Sequence, residues 1–220
     1  MPIRKLVLAN DEIYHIFNRT VANEEIFGRK YNILRMIKIV DYYKFSQTLR
    51  FSKFKKLPLS EQLEYLKSQK KELLVEIYSF AFMPNHYHFL IKQLRDDGIR
   101  RFIANIQNSF ARTFNLKNKR GGALFRSPFK AKRIETEEQL VHISRYIHLN
   151  PVTSFLIEFE DLFNSPATSF SAYTQNIMFS FLNKDYLLKI FGSREAYISF
   201  MEDQVDYQRK LAFIKSVILE

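Results

Sequence analysis

LLVEIYSFAFMPNHYHFLIK, residues 73–92, decides the fold. Two apolar, β-rich runs, Leu73 to Phe82 and His86 to Lys92, are separated by Met83, Pro84 and Asn85, and Pro-Asn between such runs is a turn signal, so the stretch reads as a β-hairpin. On its second strand His86 and His88 are two apart. Successive side chains leave opposite faces of a strand, so both imidazoles share one face while Tyr87 and Phe89 take the other. Two ring nitrogens rooted about 5 to 7 Å apart can converge on one cation. Taken alone, the same pattern also describes two half-exposed hairpin histidines.

Upstream, Glu12 to Arg19 carries apolar residues on both faces and reads as a central strand. From Asn23 to about Tyr43, Phe27, Tyr31, Leu34, Ile37 and Val40 recur at three- and four-residue spacing, which predicts a helix packed on the sheet. Lys44 to Lys71 is basic and polar with Pro58 in its middle, an insertion in which Ser60 caps a short helix to about Gln69. Downstream of the hairpin, Asp97 and Gly98 precede a helical pattern from Ile99 to about Asn115, and a Gly121-Gly122 loop follows. Phe129 to Glu135 reads as a strand. Thr136, followed by Glu137, Glu138 and Gln139, starts a last helix that should stop at Asn150, because Pro151 disfavours helical geometry in the residue before it.

The order strand, helix, hairpin, helix, strand, helix fits a ferredoxin-like (RRM-like) α+β fold, one antiparallel sheet with its helices on one face. Residues 1–154 form the expected main domain, and 155–220 a helical C-terminal appendage with Asn183 and Ser193 as caps.

With 220 residues, 46% of them apolar, the chain can bury a core. It has no cysteine, which excludes disulfides, thiol nucleophiles and zinc knuckles, so any metal must be held by imidazole, carboxylate or amide oxygen. Neither a signal-peptide h-region nor a membrane-length apolar run occurs, and the expectation is a cytoplasmic, soluble protein. A formal charge of +11, from 34 Lys and Arg against 23 Asp and Glu, makes nucleic acid the first partner to consider, although a basic surface kept for solubility has the same bulk charge.

Position decides between those two. Between Arg100 and Arg133 there are ten basic residues and no Asp or Glu, interleaved with Phe125 and Phe129 and broken by glycines, as expected where phosphates approach backbone and bases stack on rings. The candidates for phosphate contact are Arg19, Arg112, Lys117, Lys119, Arg120, Arg126, Lys130, Lys132 and Arg133. The run leads into the last helix, where Tyr146 and Asn150 share a face with His142 one turn earlier. Laid across the sheet, that helix would present a phenol and an amide oxygen to the ion. Tyrosine on an amphipathic helix is otherwise a core residue with its hydroxyl at the rim. Two imidazoles and an amide oxygen suit Mg²⁺ or Mn²⁺ completed by phosphate and water, and imidazole would also accept Zn²⁺, Ni²⁺ or Co²⁺.

FMPNHYHFLI (82–91), LFRSPFK (124–130), RYIHLNPV (145–152) and YHIFNRT (14–20) together resemble the single-tyrosine HUH transposases of insertion sequences, and among them the REP-associated tyrosine transposases. The resemblance implies that His86 and His88 are the metal ligands, Tyr146 the nucleophile, and Asn150 the helix's third ligand. It further implies a single-stranded, hairpin-tipped DNA substrate, a 5′-phosphotyrosine intermediate and a possible homodimer. Departures are Phe110 where many relatives have tyrosine, Thr20 where many have glycine, and Ser165-Pro166-Ala167-Thr168-Ser169 in place of Pro-Trp-Ser-Ser. The alternative function is a non-catalytic protein of the same fold that holds hairpin DNA or RNA.

Overall fold

The computed structural model describes residues 6–68, 72–174 and 179–205. Four strands, β1 (Ile13–Arg19), β2 (Val75–Met83), β3 (His86–Gln93) and β4 (Lys130–Ile134), form one antiparallel sheet in the order β2-β3-β1-β4. This is the ferredoxin-like order, with the two hairpin strands meeting β1 through β3. β3 is central, and its register places Phe17 opposite His88 and Ile16 opposite Phe89.

One face is built as the alternation requires. Tyr14 and Ile16 of β1 and Tyr87, Phe89 and Ile91 of β3 meet α1 (Lys30–Tyr43) and α4 (Gly98–Lys117) in a core with Met36, Ile39, Phe102, Ile103 and Ile106, all fully buried. α1 begins seven residues later than the periodicity suggests. Ala22 and Asn23 have positive φ, and the amides of Ile26 and Phe27 both donate to the carbonyl of Pro84, so the segment before α1 serves the hairpin turn instead of a helix. In the insertion, α2 (Phe51–Phe54) precedes α3 (Leu59–Ser68); the amide of Gln62 donates to the carbonyl of Pro58, which puts Ser60 inside the helix and not at its cap. Gln69 lies outside the described residues.

α4 enters close to the backbone. A Cβ at Gly98 would lie 2.4 Å from the carbonyl oxygen of Leu74, which the amide of Leu94 already uses. Gly98→Ala should therefore force the helix start away from β2 and lower stability by about 1–3 kcal/mol, the usual cost of overpacking, measurable by urea denaturation.

The second face corrects the expectation that all helices lie on one side. α5 (Glu137–Thr153) packs on the opposite face, where Leu90, Ala81 and Tyr78 are apolar and meet Leu140, Ile147, Leu149 and Val152. A strand apolar on both faces needs cover on both. The Thr136 side chain caps α5 by accepting from the amide of Gln139. The helix does not stop at Asn150 but runs through Pro151 to Thr153: proline removes the amide that would reach back to residue 147 and crowds that carbonyl, and burial of Asn150, Pro151 and Val152 offsets the cost and holds the turn. The left-handed Phe155 ends it.

Beyond it, α6 (Phe170–Thr174), α7 (Asp185–Phe191) and α8 (Arg194–Glu202) join the α5 core through Phe170, Tyr173, Leu187, Tyr197 and Met201. Ser193 caps α8, and Asn183 accepts from the amide of Tyr186, as expected. The Ser165–Ser169 stretch runs along the outer edge of β2, with the amide of Phe82 donating to Ala167 and that of Ser169 to Phe80. His148 fastens the two: its Nε2 lies 2.6 Å from Ser169 Oγ and its Nδ1 2.6 Å from the hydroxyl of Tyr197.

Full burial pushes the His148 imidazole down to about 3. In the unfolded chain it ionises near 6.5, so below that pH the unfolded state takes up a proton that the folded state refuses. The stability contributed is complete above 6.5 and is lost as pH falls from there toward 3. In urea denaturation at pH 7 and pH 5, the stability lost by His148→Gln should be roughly 2 kcal/mol smaller than that lost by the unmodified chain.

Candidate active site

The start of β3 is held rigidly. Thr20 donates its amide to the carbonyl of Asn85, and its buried hydroxyl bonds the carbonyls of Glu24 and Asn85, so here threonine ties β1 to the turn. With φ −68, the position has no need of glycine. The side-chain oxygen of Asn85 lies 2.7 Å from His86 Nδ1; an amide oxygen can only accept, so the His86 proton sits on Nδ1 and Nε2 keeps its lone pair.

His86 and His88 leave one face as alternation requires, with ring centroids 5.1 Å apart. α5 crosses that face. The Tyr146 ring meets His88 edge-on at 5.5 Å, and the carboxamide nitrogen of Asn150 lies 3.5 Å from His88 Nε2. Tyr146 is 40% exposed while Asn150 is buried, so the phenol is open to a ligand and the amide backs the imidazoles. The structure thus brings together the four residues singled out in the sequence.

A fifth was missed. His15 of β1 lies on the same face, its ring edge to edge and within 20° of coplanar with His88, centroids 5.1 Å apart and Nε2 2.9 Å from His88 Nδ1, and 5.9 Å from the ring of Tyr146. The signal was in the alternation of β1, but its meaning depends on the β1–β3 register, which no local pattern supplies. Burial lowers His15 and His86 to about 4, helped by Lys132 and Arg19 respectively. His88 falls well below its ordinary value through burial and then through His15, His86 and Arg19. All three are neutral near pH 7, the form that binds a metal.

Among the described residues no group of three His, Cys, Asp or Glu side chains gathers to hold a metal. A cation here would draw on a donor of another kind: Asn150 lies beside His88 with its carboxamide nitrogen toward Nε2, and would ligate by turning its oxygen there instead, so that two imidazoles and one amide oxygen fit a divalent ion completed by phosphate and water.

The basic candidates divide. Arg19, Lys130 and Lys132 surround the histidine face: Arg19 and Lys132 perturb its imidazoles, and the Lys130 ammonium stands 5.9 Å from the centroid of Phe17, itself stacked on His88. Lys117 bonds the Tyr31 hydroxyl, Arg120 pairs with Glu24, Arg133 with Glu12, and Arg126 reaches the Thr20 carbonyl. Arg112 and Lys119 are exposed, on α4 and just after it. Phe125 is not a stacking platform but a core ring, 5.8 Å from Tyr87. His142 turns to Arg145 and Glu138 and away from the imidazoles.

Comparison with known proteins agrees with the resemblance read in the sequence. Residues 44–150, which hold the hairpin and Tyr146, match the family model described as IS200-like transposase. A solved structure of a REP-associated tyrosine transposase bound to a REP hairpin is similar, with a TM-score of 0.52 at 16% identity over 78% of this chain and 84% of that one. At that identity the likeness is one of fold. No curated protein matches the chain. Among the described residues no helix is long and apolar enough to cross a membrane.

Proposed function

We propose that this chain cuts and rejoins single-stranded DNA through a covalent phosphotyrosine, with Tyr146 as nucleophile. One juxtaposition carries the reading: a half-exposed phenol set edge-on against two buried, neutral imidazoles, on a face surrounded by Arg19, Lys130 and Lys132. The family match supports a transposase-like reaction, and the hairpin bound by the similar structure supports hairpin-tipped single strands as substrate.

His86, His88 and the amide oxygen of Asn150 would hold a divalent ion, Mg²⁺ or Mn²⁺, which would supply charge neutralisation at the scissile phosphate. Arg19 and Lys132 draw the phosphodiester to the face, and Phe17, half-buried beneath Lys130, offers a neighbouring base a ring to stack on. The phenol oxygen of Tyr146 attacks phosphorus in line with the bond to the 3′ oxygen. That bond breaks, the phenol proton leaves to solvent, and the departing 3′ oxygen takes one up. The products are a 5′-phosphotyrosine and a free 3′ hydroxyl. The ester is exchanged and not hydrolysed, so another 3′ hydroxyl can reverse the step and join strands without ATP.

The test is the full chain with a 3′-end-labelled, hairpin-tipped single-stranded oligonucleotide and Mn²⁺. The expected result is label that stays on the protein through SDS, together with an equal amount of unlabelled 5′ fragment ending in a 3′ hydroxyl. Cut DNA with no protein-linked label would indicate a nuclease using water, and tight binding with neither product a binding module. Both outcomes contradict the proposal.

A further inference from the structure

A ring nitrogen that binds a cation must keep its lone pair, so the ring's proton has to sit on the other nitrogen and needs an acceptor there. For His86 that acceptor is the Asn85 side chain, one residue away. His88 has no such neighbour in sequence, and its Nδ1 faces Nε2 of His15, 73 residues earlier on β1, at 2.9 Å and away from solvent. The contact at the other nitrogen fits the same assignment: the Asn150 carboxamide nitrogen, a donor, faces His88 Nε2. The His15 and His88 rings lie edge to edge and within 20° of coplanar, which aligns the two nitrogens for a hydrogen bond, and Phe17 lies within 21° of parallel to His88 at 5.7 Å, so His88 is also fixed in orientation.

We propose that His15 is a positioning residue for this site: it accepts the Nδ1 proton of His88 and so holds that imidazole in the tautomer whose Nε2 is open toward Asn150 and Tyr146. The inference rests on the metal reading of His86 and His88 given above. His15 is not itself a ligand, because its Nε2 is committed to His88. Its proton sits on Nδ1.

Two measurements on the full chain test it. ¹⁵N NMR of the histidine side chains in metal-free protein at pH 7 should show His88 protonated on Nδ1 and bare on Nε2; the reverse assignment overturns the proposal. Calorimetric titration with Mn²⁺ should then show affinity about 10- to 100-fold weaker in His15→Phe, which fills the space without an acceptor. His15→Gln, whose amide oxygen can accept, should recover part of the loss. Chemical denaturation checks that each variant is folded. If the unmodified chain binds Mn²⁺ and His15→Phe, folded, binds it equally well, His15 has no such role. If the unmodified chain binds no Mn²⁺, the metal reading fails first, and the NMR assignment still decides whether His15 sets the tautomer.

Discussion

Tyr146→Phe should abolish the covalent product with single-stranded DNA while leaving the protein folded and able to bind its oligonucleotide. The substitution removes one oxygen from a ring that is 40% exposed, so the stability change should lie within about 0.5 kcal/mol. The edge-on contacts of the ring with His88 and His15 do not involve that oxygen and should persist. Without the proposed nucleophile, cleavage should fall by about 10³- to 10⁴-fold or more, the scale seen when a covalent nucleophile is deleted from an otherwise intact site. SDS gels of labelled adduct, paired with gel-shift affinities, separate this from a loss of binding. Residual covalent product in the variant would assign the chemistry to another tyrosine.

The second large effect belongs to the imidazole pair. Replacing His86 and His88 together by alanine should remove the dependence of cleavage on Mn²⁺ and lower the rate by roughly 10² to 10⁴, since charge stabilisation by a bound ion is worth several kcal/mol and each 1.36 kcal/mol is tenfold. Binding of the hairpin should change far less, because the cationic groups proposed to draw in the strand, Arg19, Lys130 and Lys132, are untouched. The cost to stability is moderate: His88 is buried and its removal leaves His15 Nε2 without its partner. A double variant that cleaves at the original rate would contradict the metal assignment, whatever became of Tyr146.

Much of this site could be read from the sequence because it depends on local periodicity. Strand alternation put His86 and His88 on one face, and the four-residue spacing of Tyr146 and Asn150 put them on one side of a helix, neither of which needs tertiary information. The hairpin, α4 and the Thr136 cap followed from the same kind of evidence. What stayed hidden depends on contacts between segments remote in sequence. His15 gains its meaning only when β1 pairs with β3, and Phe125, interleaved with cations in the sequence, turns inward against Tyr87 and Phe110 once its loop closes on Thr20.

Two further differences have the same origin. The late start of α1 reflects a tertiary use of backbone, the amides of Ile26 and Phe27 capturing the Pro84 carbonyl. Proline overrides helix propensity only where nothing else holds the turn, and burial of residues 150–152 against the sheet holds it here. The placement of α5 opposite α1 and α4 was implied by Leu90 and Ala81, apolar residues on the histidine side of β2 and β3, whose need for cover is plain once the sheet order is known.

The phenol at residue 146 and the imidazoles at 86 and 88 are proposed to act on one phosphate. Tandem mass spectrometry of protease-digested adduct, formed with a hairpin-tipped oligonucleotide in Mn²⁺ and trimmed by nuclease, locates the bond directly. A nucleotide attached through its 5′ phosphate to Tyr146 is the predicted result. A nucleotide on any other side chain would contradict it.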